Sequence, residues 1–167
     1  MEITYRKAAP ADAARLLEYL KTIGGESDNL TFGAEGIPFT VEQEERFLAS
    51  QANSSHTMIL LALDGEEIVG NATIDGNVKP RFRHRRNLAI SVRKDHWGRG
   101  IGSGLMERLI AFARGTGAEV VSLQVRADNE RAKALYRKFG FQNFGTYEKF
   151  FKIDGEYFDA EYMNLYL

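Results

Sequence analysis

Four glycines at alternate positions, in Trp97-Gly98-Arg99-Gly100-Ile101-Gly102-Ser103-Gly104, constrain this chain more than any other stretch. Each would cost ~1 kcal/mol against alanine in a helix interior, so the run is not helix filler. Before it, Leu88-Ala89-Ile90-Ser91-Val92 alternates large apolar with small or polar side chains, as a strand with one packed face does. After it, Ile101, Leu105, Leu109, Phe112 and Ala113 share one face of a helix, with Ser103, Glu107, Arg108 and Arg114 largely off it. The order is strand, glycine loop, helix.

That order has a physical use. The unpaired N–H groups of a helix's first turn point out of its end, the macrodipole favours negative charge there, and missing side chains let an anion reach the backbone. A phosphate or pyrophosphate is the natural guest. A connection that needs only glycine's freedom of φ would account for one or two of the four. A nucleotide P-loop is excluded, because Gly104 is followed by Leu105-Met106 rather than Lys-Ser/Thr. A dinucleotide fingerprint fails as well, with Ser103 or Leu105 where its third glycine belongs.

The remainder reads as one α+β domain over residues 1–167, a length suited to a single core. Ile3-Thr4-Tyr5-Arg6 is a first strand. Asp12 is placed to cap a helix along Ala13, Leu16, Leu17 and Leu20, with its stop at Gly24-Gly25. Residues 24–40 form a long loop, readable as a lid or substrate wall or as a surface excursion, and Thr40 starts a second helix through about Ser50. Thr57 to Leu63 and Glu67 to Ile74 form a hairpin around Asp64-Gly65-Glu66. Val120 to Val125 is a further strand, and a closing hairpin turns at Asp154-Gly155. The expected architecture is a mixed, mainly antiparallel sheet of about seven strands flanked by about four helices. There is no cysteine, so no thiolate nucleophile or thiolate metal site, and the net charge of −1 does not seek nucleic acid or an anionic membrane. Without an apolar leader, and with Met58 to Leu63 as the longest apolar run, a cytoplasmic protein is expected.

A second segment, Arg126-Ala127-Asp128-Asn129-Glu130-Arg131-Ala132-Lys133-Ala134-Leu135-Tyr136-Arg137-Lys138-Phe139-Gly140-Phe141, sets Ala132, Leu135, Tyr136 and Phe139 on one helical face behind an Asp-Asn cap. It is similar to the cofactor segment Asn-x-x-Ala-x-x-Leu-Tyr-x-x-x-Gly-Phe of the GNAT acetyltransferase superfamily at all its defined positions. The glycine stretch resembles the same superfamily's pyrophosphate loop, Gln/Arg-x-x-Gly-x-Gly/Ala, with Trp97 where Gln or Arg is usual.

The resemblance implies acetyl-CoA as cosubstrate, no metal, and direct transfer of its acetyl group to a primary amine of a small molecule, amino acid, polyamine or peptide. No covalent enzyme intermediate is needed, which suits a chain without cysteine. By the same resemblance the backbone of Ile90 and Val92 pairs with the pantetheine amides, which needs the sheet to splay open just past Val92. The N–H of Val92 faces the thioester oxygen. Trp97, Gly98, Arg99, Gly100, Ile101 and Gly102 hold the pyrophosphate, Asn129 bonds the pantetheine arm, and Tyr136 protonates the departing sulfur. On spacing alone Tyr136 fits core packing equally well, and Asn129 a plain helix cap. Similar proteins are commonly homodimers, which an open sheet edge permits.

The proton acceptor is not legible. Many relatives carry Glu near the position of Asn87, and Asn takes no proton at neutral pH. Glu26, Asp28, Glu148, Glu161, His84 and His96 are candidates, with Glu26 and Asp28 also placed to meet the substrate from the long loop. The missing Glu is the best support for the rival reading, a non-catalytic acyl-CoA-binding or sensing module. A basic run of Lys79, Arg81, Arg83, Arg85, Arg86, Arg93, Lys94 and Arg99 reads first as a solvated loop, second as phosphate attraction and last as a nucleic-acid patch. The acids Glu26, Asp28, Glu42, Glu44, Glu45, Asp154, Glu156, Asp159 and Glu161 would favour a cationic amine where they converge.

Overall fold

All of Met58-Ile59-Leu60-Leu61-Ala62-Leu63 is buried, because this strand carries helices on both faces. Met58, Leu60 and Ala62 belong to a large apolar cluster on one side of the sheet, while Ile59, Leu61 and Leu63 belong to a smaller one on the other. The computed structural model describes residues 2–167, and Met1 of the expected 1–167 span lies outside them. The elements are β1 Ile3–Lys7, α1 Ala13–Glu26, α2 Val41–Gln51, β2 Met58–Asp64, β3 Glu67–Gly76, β4 Arg85–Val92, α3 Ile101–Gly115, β5 Val120–Arg126, α4 Glu130–Lys138, β6 Gln142–Ile153 and β7 Glu156–Tyr166. Among the described residues one sheet has the order β1-β2-β3-β4-β5-β7-β6, and its only parallel pair is β4 with β5. The expected mixed α+β architecture of seven strands and four helices is therefore the observed one. Among the described residues no helix is long and apolar enough to cross a membrane.

The larger cluster packs α3 against β2, β3 and β4, through residues such as Ile101, Leu105, Leu109 and Ala113. The smaller cluster seats α1 through Leu16, Tyr19 and Ile23, and α2 through Leu48. Thr40 caps α2 as its sequence predicts, accepting from the Gln43 N–H at 3.1 Å while Gln43 accepts from the Thr40 N–H at 2.9 Å.

Two helix signals resolve differently. Asp12 makes no side-chain cap to α1. Its buried carboxylate is occupied by Arg6 at 2.7 and 2.8 Å, Arg15 at 2.7 Å and the Ala9 N–H at 2.8 Å. The Arg6 hydrogen bonds lead in holding its pKa down at about 2, against an ordinary value of 3.8. A depressed carboxyl stabilises the fold above its unfolded pKa and loses that contribution as pH falls from about 4 towards 2. Asp12→Asn is accordingly expected to cost about 2 kcal/mol at neutral pH in urea unfolding, a difference that closes near pH 2. The second signal, Gly24-Gly25, does not stop α1, which continues to Glu26. A side chain at Gly24 would collide with the Gly33 carbonyl, so this glycine lets the following loop lie on the helix.

β4 begins at Arg85, three residues before the apolar alternation that announces it. Arg86 is buried there, its guanidinium donating to the carbonyls of Arg83 at 2.6 Å, Arg85 at 3.0 Å and Thr116 at 3.1 Å. Arg93 is likewise committed, to Glu67 and to Asp95 at 2.7 Å. Two members of the basic run thus hold the fold together and are not part of a solvated patch.

Candidate active site

β4 follows β3 along its length to Val92 opposite Gly70, and β5 follows β7 to Arg126 opposite Ala160. Between β4 and β5, however, pairing covers only Arg85 with Val120 through Asn87 with Ser122. The sheet therefore opens at Asn87, not past Val92, and Ile90 and Val92 lie inside the opening. Side-chain alternation reports which face of a strand is packed and says nothing of which edge is paired. The Arg93 N–H donates to the Val69 carbonyl at 2.9 Å, so odd-numbered residues here turn their backbone towards β3. Ile90 and Val92 turn theirs into the opening, and the Trp97 indole N–H donates to the Val92 carbonyl at 2.9 Å.

The chain then passes Gly98 and Gly100, at φ of 78° and 77°, and enters α3 with Gly100 as an N-cap that has no side chain to cover the first-turn N–H groups. A Cβ added at Gly98 would find only the Arg131 guanidinium, at 4.0 Å, and one at Gly100 would find nothing. The other two glycines answer a different need. A Cβ at Gly102 would press on Leu135 of α4 at 3.0 Å, and one at Gly104 would collide with the Tyr5 ring. Two of the four keep a left-handed backbone uncovered, and two permit close packing.

The loop, the open edge of β4 and the start of α4 enclose a cleft of about 310 Å³. Of the expected cofactor positions, Ile90, Val92, Trp97, Gly98, Gly100, Ile101, Gly102, Asn129 and Tyr136 line it, and Arg99 does not. The Asn129 side-chain oxygen accepts from the Ala132 N–H at 3.2 Å, which caps α4 and leaves the amide NH₂ for a ligand. Tyr136 is buried with its ring 5.9 Å from that of Phe141, and burial pushes its phenol above the ordinary value of 10.0. Trp97 stacks beneath Arg131, whose guanidinium is 4.7 Å from the ring. Arg131 and Lys138, the latter donating to the Ser103 hydroxyl at 3.2 Å, bring positive charge to the α3 end of the cleft. Neither stood out in the sequence, where each is one more cation on a polar helix face.

The start of the long loop is strapped across the opening. Glu26 lines the cleft and accepts from the Lys94 N–H at 2.8 Å. Asp28 does not line it. Its backbone carbonyl accepts from Arg126 at 3.1 Å, and Arg126 also pairs with Asp128 at 2.7 Å and lies 3.6 Å from the Phe158 ring centroid. Of the remaining proton-acceptor candidates His96 also lines the cleft, and the others lie outside it. His96 lies between Asp95 at 2.6 Å and Asp64 at 3.3 Å, Glu161 pairs with Lys133 at 3.2 Å, and Glu148 is exposed on β6. The acids named from sequence do not converge, Glu44 being buried on α2 and Glu156 exposed at the last hairpin.

A second groove, of about 450 Å³, lies beside the cleft along β4. Leu88 and Ala89 line the groove, and the next residues, Ile90, Ser91 and Val92, line the cleft. Asp75 of β3 stands in the groove opposite Asn87, flanked by Ser122 and Tyr162. Together the two hollows offer an anion cradle, an unpaired strand edge, a neutral phenol and a carboxylate. No group of three or more His, Cys, Asp or Glu side chains that could hold a metal ion is found among the described residues.

Residues 26–141 match the acetyltransferase (GNAT) family. The chain is similar to the L-amino acid N-acetyltransferase AaaT of Escherichia coli (strain K12), at 35% identity over 106 residues. That match covers 63% of this chain and 65% of AaaT, so it spans under two thirds of that relative. A crystal structure of an acetyltransferase of the GNAT family from Streptococcus pneumoniae superposes with a TM-score of 0.96 at 34% identity, covering 99% of this chain and 100% of that one. The fold is also that of yncA from Salmonella typhimurium, solved with its cofactor acetyl-CoA, at a TM-score of 0.85, 20% identity and coverage of 99% and 94%.

Proposed function

This chain belongs to the acetyltransferase (GNAT) family, and from that premise we propose that it is a single N-acetyltransferase domain moving an acetyl group from acetyl-CoA directly to a primary amine. The acceptor is a small molecule, amino acid, polyamine or peptide, and the amino acid named for AaaT supports the small end of that range. One observation carries the reading: the open edge of β4, the bare first turn of α3, Asn129 and Tyr136 all face one cleft.

Acetyl-CoA suits this cleft by its chemistry. Free N–H groups, the helix dipole and the Arg131 guanidinium would hold its pyrophosphate, where a Cβ at Gly98 or Gly100 would intrude. The backbone of Ile90 and Val92 would pair with its amide arm as an added strand does, joined by the free amide of Asn129. When bound, the cosubstrate supplies an acetyl group already activated as a thioester. The Val92 N–H would stabilise charge on the acyl oxygen. The Tyr136 hydroxyl, kept neutral by burial, would give its proton to sulfur. The open edge of β6, with Phe144 and Tyr147 exposed, supports a homodimer, which light scattering checks.

Calorimetry with acetyl-CoA, desulfo-CoA, ATP and NAD, followed by thiol release across an amine panel, tests the proposal. Acetyl-CoA binding with thiol release for at least one amine is the expected result. Binding without release for any amine would favour an acyl-CoA sensor, and no binding would remove the assignment. Gly100→Val places a β-branched side chain in left-handed backbone and in the cradle. It is expected to raise the acetyl-CoA Kd by about 10- to 100-fold, read in the same calorimeter.

A further inference from the structure

We propose that Asp75 accepts the proton of the amine in this chain, the role left open by Asn87. The inference rests on the acetyltransferase reading above and adds the residue that reading lacks.

The two residues face each other across the β3–β4 ladder, so their side chains stand on one face about 5 Å apart at Cβ. That pair lies where the sheet divides, since Asn87 opposite Ser122 is the last contact between β4 and β5. Asp75 is the one carboxylate lining the groove, which adjoins the cleft along β4 and is open to an incoming amine. Asn87, directly opposite on the ladder, favours the charged form of this carboxylate. Partial burial in the groove raises the carboxyl's pKa above the ordinary 3.8, against the lowering influence of Asn87. A base moved towards neutral pH is better matched to an ammonium. The other charged or titratable groups in the groove are Arg85 and Tyr162, while Arg86 and His56 flank the adjoining Gly76. The other nearby carboxylates are engaged, Glu26 with the Lys94 N–H and Glu161 with Lys133.

The proton balance is closed. In the groove the ammonium gives one proton to the Asp75 carboxylate, which passes it to solvent, and the neutral amine moves on along β4 to the thioester. The freed nitrogen lone pair forms the carbon–nitrogen bond as the thioester carbon–sulfur bond breaks. Sulfur takes its proton from Tyr136, and the second proton leaving nitrogen restores that phenol.

The test compares wild type, Asp75→Asn, Asp75→Glu and Asn87→Ala, each first shown to bind acetyl-CoA. The wild-type kcat/KM should rise with pH through an acid limb lying above the usual aspartate range. Asp75→Asn should lower kcat/KM by about 10²-fold or more and erase that limb, with partial rescue by Asp75→Glu. Asn87→Ala removes a neighbour that favours the charged form and should move the limb to higher pH. An Asp75→Asn enzyme within threefold of wild type, with the limb intact, overturns the proposal. Carboxyl ¹³C NMR gives a readout independent of turnover, the Asp75 signal being the one missing in Asp75→Asn. It should titrate above the ordinary range and move down when propylammonium is added. A signal that titrates normally and ignores propylammonium also overturns the proposal. Should wild type bind acetyl-CoA yet acetylate no amine, the transferase reading fails, and the NMR titration alone decides whether Asp75 meets the amine.

Discussion

Tyr136→Phe is expected to lower the single-turnover rate of amine acetylation by about 10²- to 10³-fold, with the acetyl-CoA Kd within about twofold of wild type. Phenylalanine keeps the ring that packs on Phe141 and removes only the hydroxyl of a residue that lines the cleft. The pH dependence carries a second signature. Burial disfavours the phenolate, so the hydroxyl retains its proton above the ordinary phenol value of 10.0. The wild-type rate should therefore show no alkaline decline up to that value, as a pH profile in a stopped-flow thiol assay will read. A Tyr136→Phe enzyme with the wild-type rate would mean that sulfur draws its proton from water.

Leu105→Ala carries the largest expected loss of stability. Leu105 is fully buried on α3, against β3 at the point where a Cβ on Gly70 would already press on it at 3.1 Å. Truncation deletes contacts on both sides of a junction that cannot close up, so about 3–5 kcal/mol is expected. For a chain of this size that lowers Tm by about 10 °C in calorimetry. Because the N-terminus of α3 is the proposed phosphate cradle, acetyl-CoA at about 100 times its Kd should restore about 2.7 kcal/mol. A loss below about 1 kcal/mol would show that α3 can settle into the gap.

Much of this was legible before any coordinates. Apolar periodicity located the strands and helices, because burial on one face imposes it locally. Left-handed backbone at Gly98 and Gly100, the Thr40 capping box and the Asn129 cap are likewise local, each needing only a few neighbouring residues. Other features were misread where a residue's partner is remote. Asp12 in sequence is a helix cap, and in the fold it anchors Arg6 and Arg15. Arg86 looks solvated, and its buried guanidinium is spent on backbone carbonyls. Gly102 and Gly104 extend the glycine rhythm, yet their reasons are Leu135 and Tyr5.

The sequence by itself determined the order of elements, the mixed sheet and the glycine-bounded start of α3, since these follow from periodicity, caps and backbone freedom within short windows. Only the tertiary structure decided where the sheet parts, which brings Ile90 and Val92 to an open edge and sets Asp75 beside Asn87 at the division. Strand edges are satisfied by partners far along the chain, and no local pattern records which partner is missing.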